Sequence, residues 1–394
     1  MKAKVILATI LILAASCVKN EVREVSMHGD GQILYNPAPL KTITKAGSVS
    51  DFPLTSTFGS CAWYLPGDNK WDDHYAASAP EVVPTLYIPE TEISYNGDSK
   101  SGVWRNKDKS YYWPMNGSLT FISWAPYDLG KDAGKKTTLN VTRENGFEIT
   151  GWTMDSKPGY GIVSPTSGSG VATTDPDVDI LLSYTKDCTR NTANGKVPTK
   201  FSHLLCKVKV VATLAKQLGE GEKPWEVISV TLSDIYTKAD YSTYVKDGSN
   251  KITLSKLWRN QSDRRSYVYA PETSVSVNYG EGGIGTGAVI FPETLFMPQF
   301  LTEREKGTTA TLPMITIECK NGKGESEILN VLLFNKKNAS SLSVWNQGKS
   351  ITYVVTLGDE DTYIDFKAEV EEENDWTYSG NDFNVGVGEI INGK

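Results

Sequence analysis

The amino-acid sequence predicts an all-β protein built as two β-sandwich domains in tandem, and three observations carry that expectation. Apolar runs with a period of two recur roughly every ten residues, separated by Gly, Pro, Asn and Asp. No stretch longer than about ten residues holds the 3.6-residue period of an amphipathic helix. The 34 Gly, 18 Pro and 19 Tyr favour turns and strands over long helices. With 394 residues, 39% hydrophobic and 22% charged, the chain is long enough and apolar enough for two folded domains. A net charge of −7 argues against a nucleic-acid partner, which would need a basic face.

Residues 1–16 are expected to be an export signal. Lys2 and Lys4 precede the apolar run Val5–Ala15, which is too short to span a bilayer as a helix. The run ends Leu13-Ala14-Ala15-Ser16-Cys17, which resembles a bacterial lipoprotein box with Cys17 as the acylated first mature residue. Acyl chains at about 0.8 kcal/mol per buried methylene would tether the chain to a membrane without crossing it.

Residues 17–45 are polar and carry short apolar islands at Ile33–Tyr35 and Leu40–Ile43, read as a linker with one or two weak strands. The first sandwich is expected over 46–197. Its strand candidates are Glu81–Ile88, Val103–Arg105, Tyr111–Trp113, Ser118–Trp124, Phe147–Ile149 and Val178–Tyr184. Val197–Ala212 follows as a half-buried strand, with Leu204, Cys206, Val208 and Val210 on one side and Leu205, Lys207, Lys209 and Val211 on the other. Val211–Leu218 is the best candidate for a short helical turn. The second sandwich is expected over 198–378, with strands at Val227–Leu232, Tyr267–Tyr269, Val275–Tyr279, Leu312–Cys319, Ile328–Phe334 and Ser350–Leu357. In Leu312–Cys319 the odd-numbered residues are expected to face inward.

Residues 379–394 form a tail with strand periodicity and no later partner in the chain. Phe383, Val385 and Val387 alternate with Asn384, Gly386 and Gly388, and Ile391 continues the odd face. Such a strand has three fates: self-docking, disorder, or pairing with another molecule. The last makes Phe383, Val385, Val387 and Ile391 a candidate donor strand.

The remaining motifs favour no catalytic chemistry. Gly280, Gly282 and Gly285 have dinucleotide-fingerprint spacing, but the following Ala288–Pro292 is β-branched, where a helix N-terminus is required to hold a pyrophosphate. Asp175, Asp177 and Asp179 start like an EF-hand loop, yet Ile180 and Lys186 occupy the positions that need Gly and Glu. His28, His74 and His203 sit in no zinc or nucleophile motif. No cofactor, metal or enzymatic activity is therefore expected. After Cys17 come Cys61, Cys188, Cys206 and Cys319, none in a CxxC spacing. They read as buried free thiols, although an exported chain allows a pair among them to oxidise. The aromatics at Trp63-Tyr64, Trp71, Trp104, Tyr111-Tyr112-Trp113 and Trp124 alternate as core residues do, and an exposed sugar-stacking platform is the competing reading.

At Phe201-Ser-His-Leu-Leu-Cys-Lys-Val the chain resembles the fimbrillin family of Bacteroidetes lipoproteins. The same resemblance is carried by Thr44-Lys45-Ala46-Gly47, Tyr112-Trp113-Pro114, Asp179-Ile-Leu-Leu182, Phe296-Met-Pro-Gln299, Gly348-Lys-Ser-Ile-Thr-Tyr-Val and Asp375-Trp376, in that order. It implies transthyretin-like sandwiches, an outer-membrane lipid anchor and a trypsin-like protease that removes a first strand. Other fimbrillin subunits are the implied partners, their strands filling the groove so opened. Lys45 and Arg23 are the candidate processing sites; cutting after Lys45 removes Ile33–Thr44, whereas cutting at Arg23 frees only a short stub. The expected function is a structural subunit of a surface fimbria that supports adhesion. The alternative is a surface glycan-binding lipoprotein with tandem sandwiches.

Overall fold

The computed structural model describes residues 31–37, 52–76, 81–131, 137–154, 160–163, 170–172, 179–246, 252–280, 287–301, 312–334, 342–358 and 365–370. The first part of the chain forms β1 (Leu34–Pro37), β2 (Phe58–Leu65), one helical turn α1 (Asp73–Ala76), β3 (Thr85–Asn96) and β4 (Val103–Asn106). It continues through β5 (Ser118–Ala125), β6 (Thr138–Thr142), β7 (Gly146–Thr153), β8 (Tyr160–Val163) and β9 (Gly170–Ala172). Next come β10 (Leu181–Cys188), β11 (Lys196–Thr199), β12 (Ser202–His203), β13 (Cys206–Leu214), β14 (Trp225–Lys246) and β15 (Ile252–Tyr269). The last part forms β16 (Val275–Val277), β17 (Ala288–Phe296), β18 (Gln299–Phe300), β19 (Met314–Lys320) and β20 (Ser326–Leu332). It ends with β21 (Val344–Trp345), β22 (Ser350–Leu357) and β23 (Asp365–Val370). The all-β expectation is met.

An eight-stranded sheet runs β11-β1-β4-β3-β2-β5-β10-β12, and both of its faces carry a core. On one face Ile33, Tyr35, Phe58, Trp104, Phe121 and Phe201 pack together. On the other, Cys61, Trp63, Ile122 and Trp124 meet Phe147 and Ile149 of β7, Tyr241 of β14 and Trp258 of β15. This explains β5, in which all eight residues are buried. Its alternation is real, but Leu119 and Phe121 enter one core while Ile122 and Trp124 enter the other, so neither set meets water.

A third core lies between a four-stranded sheet, β17-β13-β22-β23, and the β20-β19-β14-β15 part of a nine-stranded sheet. Val208, Val210 and Tyr353 face Val227, Ile315 and Ile317 across it. In β19 the odd-numbered residues point inward, as their alternation predicts. The long hairpin of β14 and β15 serves two cores. Val230, Leu232 and Tyr267 belong to the third core, whereas Tyr241 and Trp258 pack under the eight-stranded sheet. Its ladder slips between Leu232 and Ile235 and again between Lys238 and Asp240. Asp234, Asn260 and Asp263 take positive φ at or beside these irregularities, a conformation that Asp and Asn tolerate better than other side chains.

The stretch Val197–Ala212 is not one strand. β11 and β12 belong to the eight-stranded sheet and β13 to the four-stranded sheet, so the chain changes sheets at Leu204 and Leu205. The crossover is tied down on three sides: Leu204 N–H donates to Ile180 O (2.8 Å), Gly348 N–H donates to Leu205 O (2.8 Å), and Trp258 Nε1–H donates to Leu204 O (2.7 Å). The helical turn expected at Val211–Leu218 is absent. β13 continues to Leu214 because Val211, Ala212 and Leu214 are all buried between β17 and β22, where a helix would break both ladders. Among the described residues the one helical turn is α1, which the periodicity did not mark.

Candidate functional site

The feature of the molecule with the most to offer chemically is β1, because a short N-terminal strand lies inside a sheet rather than at its edge. Leu34, Tyr35, Asn36 and Pro37 pair in parallel with Lys196, Val197, Pro198 and Thr199 of β11. On the other side Tyr35 pairs with Trp104 of β4 in antiparallel sense. Ahead of it, Ile33 N–H donates to Tyr111 O (2.8 Å) and Trp113 N–H donates to Gly31 O (2.8 Å). Period-two geometry turns Ile33 and Tyr35 into the core, at 0% and 2% exposure, and leaves Asn36 in solvent.

The Tyr35 ring sits edge-on to Phe58 (centroids 5.7 Å apart) and to Phe121 (5.9 Å). Its hydroxyl is buried without a hydrogen-bond partner among the described residues. Ser60 and Asn106 lie beside it, and Ser60 Oγ also bonds Ser123 Oγ at 2.9 Å, but neither residue meets the hydroxyl in hydrogen-bond geometry. Burial accordingly pushes the phenol pKa far above its ordinary value. Burying an unbonded hydroxyl costs about 1–3 kcal/mol, so β1 is held by its apolar contacts against a polar penalty.

The wall formed by β11 has supports of its own. Thr185 Oγ1–H donates to Pro198 O (2.9 Å), Trp113 Nε1–H donates to Gly195 O (3.3 Å), and Val197 is fully buried. Pro198 has no N–H to offer, which suits the outermost strand of a sheet. Taking β1 away therefore leaves a slot with two unpaired backbone rows and an apolar floor. The apolar island at Ile33–Tyr35 marked β1 in the sequence. β11 and β4 were not recognisable as its walls, although a proline inside a strand is a signal for an edge.

The other candidate residues divide cleanly. Cys17, Arg23, Lys45, Phe383, Val385, Val387 and Ile391 lie outside the described residues, as do His28, Asp175 and Asp177. Cys61, Cys188, Cys206 and Cys319 are buried free thiols. Burial raises the Cys188 pKa to about 11 and that of Cys319 to about 12. Trp63, Trp71, Trp104, Trp113 and Trp124 are core residues, and only Tyr112 of the aromatic runs is strongly exposed, at 58%. His203 is buried beside the Asp179 carboxylate, and desolvation lowers its pKa. A strand, β17, follows the glycines at 280–285, so no helix N-terminus is there for a pyrophosphate. Among the described residues no cluster of three or more His, Cys, Asp or Glu is placed to hold a metal ion.

The fold has a solved counterpart. A fimbrial protein from Bacteroides vulgatus aligns over 88% of this chain and 100% of its own, with 17% identity and a TM-score of 0.55. A putative cell adhesion protein from Bacteroides uniformis aligns over 88% and 99%, with 14% identity and a TM-score of 0.40. The tip fimbrial protein Mfa3 from Porphyromonas gingivalis aligns over 86% and 98%, with 8% identity and a TM-score of 0.34. No curated protein matches the sequence. Residues 73–376, most of the chain, match the family described as Fimbrillin-like. The chain belongs to the fimbrillin-like family.

Proposed function

We propose that this chain is a structural subunit of a cell-surface fimbria, assembled by donor-strand exchange and supporting adhesion. The observation that carries the reading is β1: a four-residue strand, flanked on both sides, whose removal opens the core of an otherwise complete sheet. Loss of Ile33 and Tyr35 uncovers a cleft that repays an incoming strand by roughly 1.5–3 kcal/mol per apolar side chain buried. Main-chain bonds to β11 and β4 then give affinity, and alternate side chains give register. The contact joins different surfaces of two copies and does not close on itself, so it propagates a filament.

The remaining parts of the proposal follow the chain. Cys17 carries the outer-membrane lipid anchor after removal of 1–16, and a trypsin-like protease frees β1. Between β1 and Phe52 the basic residues are Lys41 and Lys45, whereas Arg23 precedes β1, so a cut at Arg23 would leave the strand attached. This favours Lys45. Residues 46–197 and 198–378 are the two sandwich domains, and 379–394 supply the donor strand. Burial of Trp63, Trp71, Trp104, Trp113 and Trp124 favours this reading over glycan binding, which needs exposed rings. Deleting Asn381–Lys394 tests it: the truncated subunit should fold and be exported, with melting little changed, yet fail to polymerise. Polymers from the deleted chain, or its unfolding, would exclude the donor assignment.

A further inference from the structure

The crossover at Leu204 and Leu205 holds a buried imidazole that the proposed assembly does not use. We propose that His203 and Asp179 form an acid-sensitive latch, closed near neutral pH, whose protonation in mild acid loosens the joint between the eight-stranded and four-stranded sheets.

His203 lies on β12, where it pairs with Leu181 of β10, and its side chain is buried. Its Nδ1 bonds the carboxylate of Asp179, which stands just ahead of β10. One residue further along each segment, Leu204 N–H donates to Ile180 O (2.8 Å). A side-chain bond and a main-chain bond therefore clip the same stretch of chain to β10. The remaining ties come from the indole of Trp258 and the backbone of Gly348, neither of them ionisable. Of these bonds, only that of His203 depends on a group that titrates between about pH 5 and 8.

Among the described residues, the charges acting on the ring are those of Asp179 and Lys207. Asp179 faces it from the β10 side and favours a proton on it. Lys207 of β13 opposes one, and is itself held by Glu293 of β17 (2.7 Å). The segment ahead of β22 brings Lys349, whose carbonyl accepts Lys207 N–H (2.9 Å). On β15 the residue after Trp258, Arg259, is paired with Glu148 of β7 (3.2 Å).

Burial is the largest effect, and it holds the imidazole below its ordinary value of about 6.5. The closed joint accordingly favours the neutral ring, with Nδ1–H donating to Asp179. Opening returns the ring to water, where it takes a proton more readily. Closure is fully favoured above about pH 6.5 and weakens as the pH falls, by at most about tenfold per pH unit in the opening equilibrium.

Cys206, buried at the start of β13 three residues beyond His203, reports on the joint. Cys61, Cys188 and Cys319 report on places elsewhere in the three cores. The full chain is labelled with a dithiodipyridine and read by mass spectrometry, each thiol referred to the denatured chain at the same pH. Between about pH 7.5 and about pH 5.5, labelling of Cys206 is expected to rise severalfold, to at most about tenfold. The other three thiols should change by less than about twofold. His203→Asn, which still offers a donor to Asp179 but does not titrate, should abolish the rise. Asp179→Asn, which still accepts the bond, should keep it. An unchanged Cys206, a parallel rise in all four thiols, a rise that survives His203→Asn, or one lost in Asp179→Asn overturns the proposal. Should His203→Asn fail to fold, titration of the His203 ring by NMR decides: a midpoint below about 6.5 upholds the latch, and one at or above it overturns it.

Discussion

Tyr35 offers a test in which two substitutions at one position should move stability in opposite directions. Its ring is 2% exposed and packed edge-on against Phe58 and Phe121, while its hydroxyl is buried and unbonded. Tyr35→Phe keeps the ring and removes the hydroxyl, so the unprocessed chain should gain about 1 kcal/mol. Tyr35→Ala loses the ring, at a cost of about 3–5 kcal/mol, offset by roughly 1 kcal/mol from the departed hydroxyl. A net loss of about 2–4 kcal/mol is expected. Urea unfolding followed by tryptophan fluorescence reads both, because Trp104 lies 5.6 Å from Phe58 in the same cluster. The midpoint should rise for Phe and fall for Ala with the slope unchanged. A fall of about 1 kcal/mol for Tyr35→Phe would mean that Ser60 or Asn106 bonds the hydroxyl, and the claim that β1 is held against a polar penalty would fail.

Two other predictions concern the ends of maturation. Cys17→Ser should leave the precursor without acyl groups and move it from the detergent to the aqueous phase on partitioning; unchanged partitioning of the precursor would defeat the lipid anchor. N-terminal sequencing of subunits from assembled fibres should begin at Ala46, and Lys45→Gln should slow maturation; a read that begins at Glu24 or at acylated Cys17 would reject processing after Lys45.

How much of this was legible in the sequence depends on what each residue's surroundings add. β19 was readable because its alternation reflects burial of one face against a single core. The β14–β15 hairpin was not. Its central part, Ser233 to Asn260, mixes Asp, Lys, Thr, Ser and Tyr without a clean period, because bulges shift the register and the two halves serve different cores. The sheet change at Leu204–Leu205 was invisible for a related reason: β12 and β13 keep the alternation running while the chain passes from one sheet to another. At the slot, the apolar island Ile33–Tyr35 pointed to a strand. Its place between β11 and β4 depends on a partner more than 150 residues away, roughly the span that lies beyond any local pattern. The buried hydroxyl beside Ser60 and Asn106 has no sequence signature at all.

The most direct test of the central claim is to lock β1 in place. Leu34 and Lys196 are paired across β1 and β11, so Leu34→Cys with Lys196→Cys allows a disulfide between neighbouring strands. The oxidised chain, treated with the processing protease, should be cut after Lys45 yet remain monomeric, because the severed strand still fills the slot. Adding reductant should release β1 and restore polymerisation to the wild-type rate. If the oxidised protein polymerises as fast as the reduced one, β1 does not have to leave, and donor-strand exchange at this slot is excluded.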